Sequence, residues 1–421
     1  ALDARLRNDQ QTLFYEAVTR ASEYLLLTRA YLADDGERWE ASPYWNAALS
    51  LFATEPVWAR ADSLMAEADA ASPHELLITA ARAGVLPAMG QGLKSQWRQI
   101  QHGAAVLRAR QARQANGPFD GDVSPLAALL GERFGPDHIW SASRLETYGE
   151  CHFRFFVDRG LSLELRLAPA AGFDVAQLGG MLHTVLEQVY QQAPDPSDVA
   201  GLLASLPAVA GAVFAAAPLR HGFRPSAVWD AQQAEWQVLL AQTLTALGEA
   251  AEAFRPAYFE VRFGFDDQPP LVIPTAAGPI RFHGVIDRVD ANAQGGLRLI
   301  DYKTGASAVA ARDVGEGRRL QLPLYARAAE QVLGGTAVEG FYWGIRQGKA
   351  SPLRLSKFAY PTNDPRSRGV SGAIDVAVQH ASAYVRGIRA GEFAPQPPPG
   401  GCPSYCAARL FCWRYAPRSA R

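Results

Sequence analysis

The spacing of apolar residues changes along the chain and separates helix-forming stretches from strand-forming ones. Leu13, Phe14 and Val18 predict an amphipathic helix near the start, which we expect to run into an apolar strand at residues 24–27. The stretch from residue 42 to about 114, rich in Ala, Leu and Arg, predicts several further helices. A loop of turn-forming residues, NGPFDGDVSP at 116–125, then predicts a domain boundary.

Beyond this loop, helical spacing gives way to strand-like alternation and then returns. Helices are predicted from Ser141 or Ser143, from about 175 to 192, and through an Ala-rich region to about 254. Three runs follow, YFEVRFGF, IRFHGVIDRVD and LRLIDYKT, whose β-branched and aromatic residues alternate as in a meander of strands. A helix at 318–333, a strand at 337–346 and a helix at 371–390 complete the pattern. This order of elements predicts an α/β fold.

Composition and charge narrow the class of protein. The chain has 421 residues, 48% of them hydrophobic and 20% charged, so it can bury a substantial core and is long enough for two or three domains. It begins without Met, and we expect it to be a fragment of a longer protein. Because the net charge is −1, a nucleic-acid partner would need a local basic surface. We find no run of eighteen apolar residues and no signal peptide, and therefore expect no membrane association and a cytoplasmic location.

Three charged residues on two neighbouring strands form the first candidate site. Asp287 lies in GVIDRVD and Asp301 in LRLIDYKTG, with Lys303 two residues later and so on the same strand face. Burying carboxylates among apolar neighbours is costly unless a cation or hydrogen bonds compensate, so a divalent metal is the economical explanation. Such a metal would polarise a phosphodiester and lower the pKa of a bound water, which Lys303 could orient or deprotonate while stabilising developing charge. The competing interpretation is a set of salt bridges on a half-exposed sheet.

Further elements accompany these strands in a fixed order. His183 lies in a predicted helix upstream, Glu260 lies on the preceding strand, and Gln321 and Tyr325 lie one helical turn apart downstream. Over roughly residues 140–415, the sequence resembles the RecB-like branch of the PD-(D/E)XK nucleases. The motifs that carry the resemblance are Gly179 to His183, Gly284 to Asp290, Asp301 to Gly305, and Gln321 to Tyr325.

This resemblance implies a restriction-endonuclease-like fold, in which helices flank a mixed sheet, and a DNA nuclease activity that depends on Mg²⁺ or Mn²⁺. The metal ligands that it implies are His183, Asp287, Asp301 and, through its carbonyl, Tyr302. It gives Lys303 the catalytic role and gives Gln321 and Tyr325 a supporting role near the DNA backbone. Glu260 is a candidate catalytic carboxylate, with a charge on the strand surface as the alternative.

The four cysteines form a second candidate site. Cys402, Cys406 and Cys412 lie within eleven residues, and Cys151 lies far upstream. Thiols so closely spaced favour one shared metal with Cys151 as its fourth ligand, and their spacings suit either a cubane iron–sulfur cluster or a four-thiolate zinc site. Unligated thiols or disulfides are the remaining interpretations. One cysteine before the nuclease core and three after it resemble the helicase-associated nucleases of the AddB type, which implies a 4Fe–4S cluster. In that family two residues usually separate the first two cysteines of the trio, and here three do.

The segment QQTLFYEAVTRASEYLLLT resembles the last signature motif of superfamily-one helicases of the UvrD type. The matching residues are Tyr15, Ala17, Thr19, Arg20 and Ala21. In active motors of that family the arginine at the Arg20 position contacts nucleotide phosphates, but the chain contains no Gly-x-x-x-x-Gly-Lys-Ser/Thr motif. We therefore expect no ATPase activity from this chain alone. An ordinary amphipathic helix is the alternative.

These interpretations combine into one expectation for the whole chain. Residues 1–135 are predicted to be the C-terminal remnant of a helicase domain with a helical region, and residues 136–421 a nuclease domain stapled by the cysteines. We expect a metal-dependent DNA exonuclease that acts in double-strand break processing and recombinational repair, in complex with an AddA-like partner subunit. The alternatives are a DNA-end-binding scaffold and a stand-alone exonuclease. A complete set of Asp287, Asp301 and Lys303 argues against a pure scaffold, which needs no metal site.

Overall fold

The computed structural model describes residues 2–33, 36–58, 66–83, 91–112, 118–164, 172–275, 278–305, 308–361 and 367–417. These residues divide into two compact units, 1–102 and 103–421. The first unit is helical, and its elements are α1 (Leu2–Thr19), α2 (Pro43–Leu49), α3 (Pro73–Ala83) and the first half of α4 (Gln91–Gln111). Its small core consists of Leu77, Ala80 and Trp97, with Ile100 packed against them.

The strand predicted at residues 24–27 is wrong. After α1 the described backbone forms no strand before the isolated bridge between Leu32 and Arg38, and Tyr24 and Leu26 are 91% and 86% exposed. A strand persists only where a neighbour satisfies its N–H and C=O groups, and the described part of this unit offers no neighbour there. Helices do form between residues 42 and 114, as predicted.

The second unit is built on a seven-stranded mixed sheet. Its strands are β1 (Ile139–Ser141), β2 (Arg255–Phe263), β3 (Leu271–Ile273), β4 (Ile280–Ala291), β5 (Gly296–Lys303), β6 (Thr336–Gly344) and β7 (Lys349–Ala350). Their order is β1-β4-β5-β6-β7, and β2 and β3 also pair with β4. β4 is antiparallel to β2, β3 and β5, whereas β5 and β6 are parallel. The four strands predicted from alternation are confirmed, and β1, β3 and β7 are too short for alternation to reveal them.

Helices cover both faces of this sheet. They are α5 (Ala127–Arg133), α6 (Ala142–Glu150), α7 (His152–Phe155), α8 (Val175–Gln192), α9 (Val199–His221), α10 (Trp229–Glu249), α11 (Ala311–Gly315), α12 (Gln321–Leu333) and α13 (Gly369–Ala390). A first core joins α6, α12 and α13 to one face, and a second core joins α8, α9 and α10 to the other. Along β5, Leu297 and Leu299 enter the first core while Ile300 and Tyr302 enter the second. This arrangement is the predicted mixed sheet with flanking helices.

Local signals explain where the helices begin and end. The Ser141 side chain accepts the N–H of Arg144 and caps α6, as the sequence predicts. Asp174 and Gln177 form a capping box at the start of α8. The Ala-rich region divides into two helices because Gly222, with φ of 68°, ends α9 in the left-handed conformation.

Helix α9 is apolar and long enough to cross a membrane by composition alone, with a mean hydropathy of 2.0 over its most apolar window. The expectation that the chain contains no such segment overlooked it. Leu202, Leu206 and Phe214 on this helix are buried in the second core, against α8 and α10. Because a core helix passes the same test of composition, this segment indicates a membrane span only weakly.

A buried ion network holds β4 to β5 beside the predicted carboxylates. Asp290, which is fully buried, lies 2.6 Å from Arg288 Nε and 2.7 Å from Arg298 Nη2. Arg288 Nη1 also donates a hydrogen bond to the hydroxyl of Tyr190 on α8, at 2.5 Å. Two charged residues of the GVIDRVD motif, Arg288 and Asp290, are therefore part of the folded core. Asp287 alone is left to face a site.

Candidate active site

Strands β4 and β5 separate at the point where the predicted carboxylates lie. Their ladder pairs residues 288–291 with 297–300 and ends there. Just beyond it, the N–H of Tyr302 donates to Asp287 Oδ2 at 2.7 Å, so a carboxylate oxygen takes the place of a backbone carbonyl. The fork between the two strands thus brings the Asp287 side chain against the segment of β5 that contains Asp301 and Lys303.

A potential metal-binding cluster forms where three elements meet at this fork. His183 from α8, Glu260 from β2 and Asp287 from β4 each offer one ligand atom, and these atoms all lie within 4.8 Å of one another. His183 Nδ1 is 3.5 Å from Asp287 Oδ1, and its Nε2 is 3.1 Å from the carbonyl oxygen of Tyr302. One imidazole nitrogen with carboxylate and carbonyl oxygens is a donor set that suits a divalent cation such as Mn²⁺ or Mg²⁺.

The backbone of Glu260 is strained. Its φ is 48°, in the left-handed region that residues with a side chain rarely adopt. The register of β2 and β4 places it opposite Asp287, between the pairs Phe259–Arg288 and Val261–Ile286. Such conformations persist where the surrounding structure holds them, and they concentrate at functional sites. The carboxylate of Glu260 is therefore directed into the cluster instead of lying as an isolated charge on the strand surface.

Burial and mutual repulsion shift the pKa values of these groups. Burial raises the pKa of Glu260 to about 7, and the neighbouring Asp287 carboxylate adds to the shift. Burial acts to lower the pKa of His183, but Asp287 opposes it and raises that pKa to about 9. Burial raises the pKa of Asp301 to about 6, although Lys303 acts in the opposite direction. Crowded, half-desolvated carboxylates of this kind would be relieved by a cation placed among them.

Lys303 lies at the mouth of the fork, held from two sides. Its Nζ is 2.6 Å from Asp301 Oδ2 and donates a hydrogen bond to Gln321 Oε1 at 3.2 Å. The amine also lies 5.2 Å from the ring centroid of Tyr342. Burial acts to lower the pKa of Lys303, but Asp301 outweighs it and the pKa rises, so the side chain carries its charge. The Asp301 side chain is 4% exposed and that of Lys303 is 39% exposed, which leaves the amine within reach of a substrate.

Helix α12 brings the two remaining predicted residues to the same place. Gln321 is its first residue, and Tyr325 lies one turn later with its ring over Gly284 of β4. A Cβ atom at position 284 would lie 2.7 Å from the Tyr325 ring and hydroxyl. The glycine in the GVIDRVD motif is therefore required by the close approach of α12.

Two residues that the sequence analysis missed support this helix. Glu146 on α6 accepts the backbone N–H groups of Leu320 and Gln321 at 2.7 and 2.9 Å, and so fixes the start of α12. Arg319 lies 3.7 Å from the second carboxylate oxygen of Glu146. Burial raises the pKa of Glu146. The available signal was an acidic residue on the apolar face of a helix, between the buried Leu145 and Tyr148.

The four cysteines also come together. Cys151 lies between α6 and α7, Cys402 and Cys406 are buried, Cys412 is half-buried, and none of the four forms a disulfide. Burial raises the pKa of Cys412 to about 11, and the nearby thiols of the other three add to the shift. The structure thus gathers in one place the four thiols that the sequence grouped.

A cleft of about 340 Å³ lies beside Lys303 and extends to the cysteine-containing tail. The side chains that line it are Ser143, Glu146, Thr147, Glu150, Arg154, Lys303, Val309, Arg319, Gln321, Tyr342 and Tyr405. Lys303 and Tyr405 both border this cleft, so the cluster of cysteines and the fork of the sheet face a common space.

The residues of the helicase-like motif lie in the first unit. Tyr15, Ala17 and Thr19 are in α1, Arg20 and Ala21 follow it directly, and all five are exposed. The Thr19 hydroxyl donates to the carbonyl oxygen of Tyr15 at 2.7 Å. The assignment of residues 1–135 to a helicase remnant stays a prediction.

The mixed sheet, its flanking helices and the Asp-x-Lys motif at the fork define a class of protein. A family model for the PD-(D/E)XK nuclease superfamily matches residues 139–413, and the chain belongs to that superfamily. Curated proteins similar to this chain are named as the B-type subunit of an ATP-dependent helicase/deoxyribonuclease. The protein of Moorella thermoacetica is 28% identical over 341 residues, which are 76% of this chain and 29% of that relative. The protein of Symbiobacterium thermophilum is 28% identical over 380 residues, or 78% of this chain and 31% of that relative. The chain thus spans less than a third of the length of these relatives.

Proposed function

We propose that this chain is the nuclease-bearing part of a helicase–nuclease subunit and hydrolyses DNA phosphodiester bonds with the help of Mg²⁺ or Mn²⁺. The observation that carries the proposal is the convergence of His183, Glu260 and Asp287 within 4.8 Å of one another, beside the ion pair of Asp301 and Lys303. Membership of the nuclease superfamily and the names of the relatives support it. In this proposal the subunit acts in the cytoplasm on broken DNA, in recombinational repair, with an AddA-like partner.

The donor set fits a divalent cation. His183, Glu260 and Asp287 would hold it, with the Asp301 carboxylate and the Tyr302 carbonyl as neighbouring donors. When bound, such a cation polarises a phosphodiester and lowers the pKa of a water molecule. Because the three groups come from α8, β2 and β4, which pack into one sheet-and-helix core, their positions are set before any cation arrives.

The side chains around the metal site would then act on the DNA itself. Lys303 would donate hydrogen bonds to the phosphate oxygens, where negative charge develops in the transition state. Asp301 and Gln321 hold its amine from two sides, so this charge is oriented in advance. Tyr325 packs α12 against β4 and keeps Gln321 in place.

The four cysteines would hold a 4Fe–4S cluster that fastens the C-terminal tail to the start of the nuclease unit. The support is the gathering of all four thiols and their spacing in the sequence. Protein purified without oxygen should be brown, with broad visible absorbance and bound iron and sulfide. Colourless protein that contains stoichiometric zinc would replace the cluster with a four-thiolate zinc site.

The activity is tested with end-labelled linear single- and double-stranded DNA and with circular DNA of the same sequence. The purified chain should cut linear DNA from its ends with Mg²⁺ or Mn²⁺, leave circular DNA intact, and cut nothing in EDTA. Cleavage of circular DNA would instead indicate an endonuclease. If DNA is bound but not cut with either metal, the chain is a DNA-end-binding scaffold. Activity equal to that of a holoenzyme reconstituted with a helicase partner would favour a stand-alone exonuclease.

A further inference from the structure

A continuous series of polar contacts connects the cysteine-containing tail with Lys303. We infer that Glu150, at the centre of this series, is a positioning residue that couples the state of the tail to the orientation of the lysine amine. The inference rests on the proposed function, because it assigns Lys303 to the reaction. It goes further by naming the side chains through which a distant staple reaches the reacting groups.

The first part of the series leads from the tail to Glu150. Tyr405 lies between two of the cysteines, and the Arg154 guanidinium lies 5.1 Å from its ring centroid. Arg154 follows Cys151 by three residues and donates from Nη1 to Glu150 Oε2 at 2.9 Å. Movement of either cysteine-bearing segment would therefore displace Arg154, and through it the carboxylate of Glu150.

The second part leads from Glu150 to the fork. Arg319 Nη1 donates to Glu150 Oε1 at 2.9 Å, so each oxygen of this carboxylate binds a different arginine. Arg319 directly precedes Leu320 and Gln321, whose N–H groups are bound by Glu146. Gln321 in turn accepts the hydrogen bond from the Lys303 amine.

The surroundings of Glu150 make these contacts selective. Its side chain is 17% exposed, so its two charge-assisted hydrogen bonds are less screened than those on an open surface. Arg319 has a second carboxylate within reach, since it lies 3.7 Å from Glu146 Oε2. Without the charge of Glu150, Arg319 would turn toward Glu146 and compete with the N–H groups that this residue holds. The start of α12 and the amide of Gln321 would then lose their fixed position.

The variants Glu150→Gln and Asp158→Asn provide a matched test. Both remove one carboxylate that binds Arg154, but Asp158 contacts Arg154 Nε at 3.2 Å and makes no contact with Arg319 among the described interactions. At saturating Mn²⁺, Glu150→Gln should lower kcat for DNA cleavage by about tenfold with KM within about twofold, because positioning is lost and binding is kept. Asp158→Asn should retain the kcat of the parent. Iron content and melting temperature are measured on both proteins.

A second readout does not depend on cleavage. The chain has only four lysines, Lys94, Lys303, Lys349 and Lys357, so carbon-13-labelled lysine gives a side-chain NMR spectrum in which the Lys303 signal can be assigned with Lys303→Arg. Glu150→Gln should shift the Lys303 signal and leave the other three unchanged, and Asp158→Asn should shift none of them.

The inference is overturned if Glu150→Gln leaves both kcat and the Lys303 signal unchanged, if Asp158→Asn matches its effects, or if the loss of kcat parallels a loss of iron. If the parent protein cuts no DNA, the proposed function fails, while the Lys303 signal still decides whether Glu150 positions the lysine.

Discussion

Two aspartates three residues apart in the GVIDRVD motif should respond to substitution in opposite ways. Asp290 is fully buried and lies within 2.7 Å of two arginine side chains, Arg288 and Arg298, which are also buried. In Asp290→Asn both guanidinium groups keep their charge and lose their counter-ion. Removing one partner from a buried ion pair costs about 3 to 5 kcal/mol. That is a large share of the roughly 5 to 15 kcal/mol that stabilises a typical domain.

The same substitution at Asp287 should cost little stability. The Asn side chain can still accept the N–H of Tyr302, and removal of the charge relieves the repulsion that raises the pKa of Glu260. Asp287→Asn should instead weaken Mn²⁺ binding and abolish DNA cleavage. The stability control is Asp137→Asn, because Asp137 also pairs with an arginine, at 3.4 Å, but is 96% exposed. Its loss should be within about 1 kcal/mol.

Urea unfolding followed by circular dichroism measures all three variants against the parent, with the shift in midpoint converted through a common slope. The reasoning is refuted if Asp290→Asn costs no more than Asp137→Asn, or if Asp287→Asn is as unstable as Asp290→Asn.

Three further predictions concern a close packing contact, the cysteines and the metal ligands. Gly284→Ala should destabilise the protein by about 1 to 3 kcal/mol and reduce cleavage, because the new methyl group overlaps the Tyr325 ring; an unchanged melting temperature would contradict this. Cys151→Ala should lose iron and, if a cluster constrains the chain as a cross-link does, about 4 to 5 kcal/mol of stability; unchanged iron content and melting temperature would remove Cys151 from the ligand set. Mn²⁺ affinity, measured by calorimetry, should increase from pH 6 to pH 9. The reason is that Glu260, with a pKa of about 7, and His183, with a pKa of about 9, must release their protons to bind metal, so an affinity independent of pH would contradict the ligand assignment.

The sequence predicted those parts of the site that depend on local periodicity. Asp301 and Lys303 share a face because side chains alternate along β5, and Gln321 and Tyr325 share a face because helical residues four apart are neighbours. The start of α6 followed from the capping preference of Ser141. These relations hold within a single element and need no knowledge of the rest of the fold.

Contacts between distant segments could not be read in this way. The role of Glu260 depends on the register of β2 against β4 and on a φ of 48° that no residue type announces. Glu146 supports α12 through backbone groups 174 and 175 residues away. The apolar residues 24–27 have the composition of a strand, but a strand requires a partner that composition does not supply.

The central claim is that a charged lysine beside a metal cluster performs the chemistry of this nuclease unit. The most direct test compares DNA cleavage by the parent and by Lys303→Met at saturating Mn²⁺, with Mn²⁺ binding measured on both proteins. Methionine keeps an unbranched side chain of similar length and removes the charge that lies 2.6 Å from Asp301. The account predicts that cleavage falls by about a thousandfold while Mn²⁺ binding is retained, because the amine acts on the transition state. Cleavage at the parental rate by a variant that binds Mn²⁺ normally would contradict it.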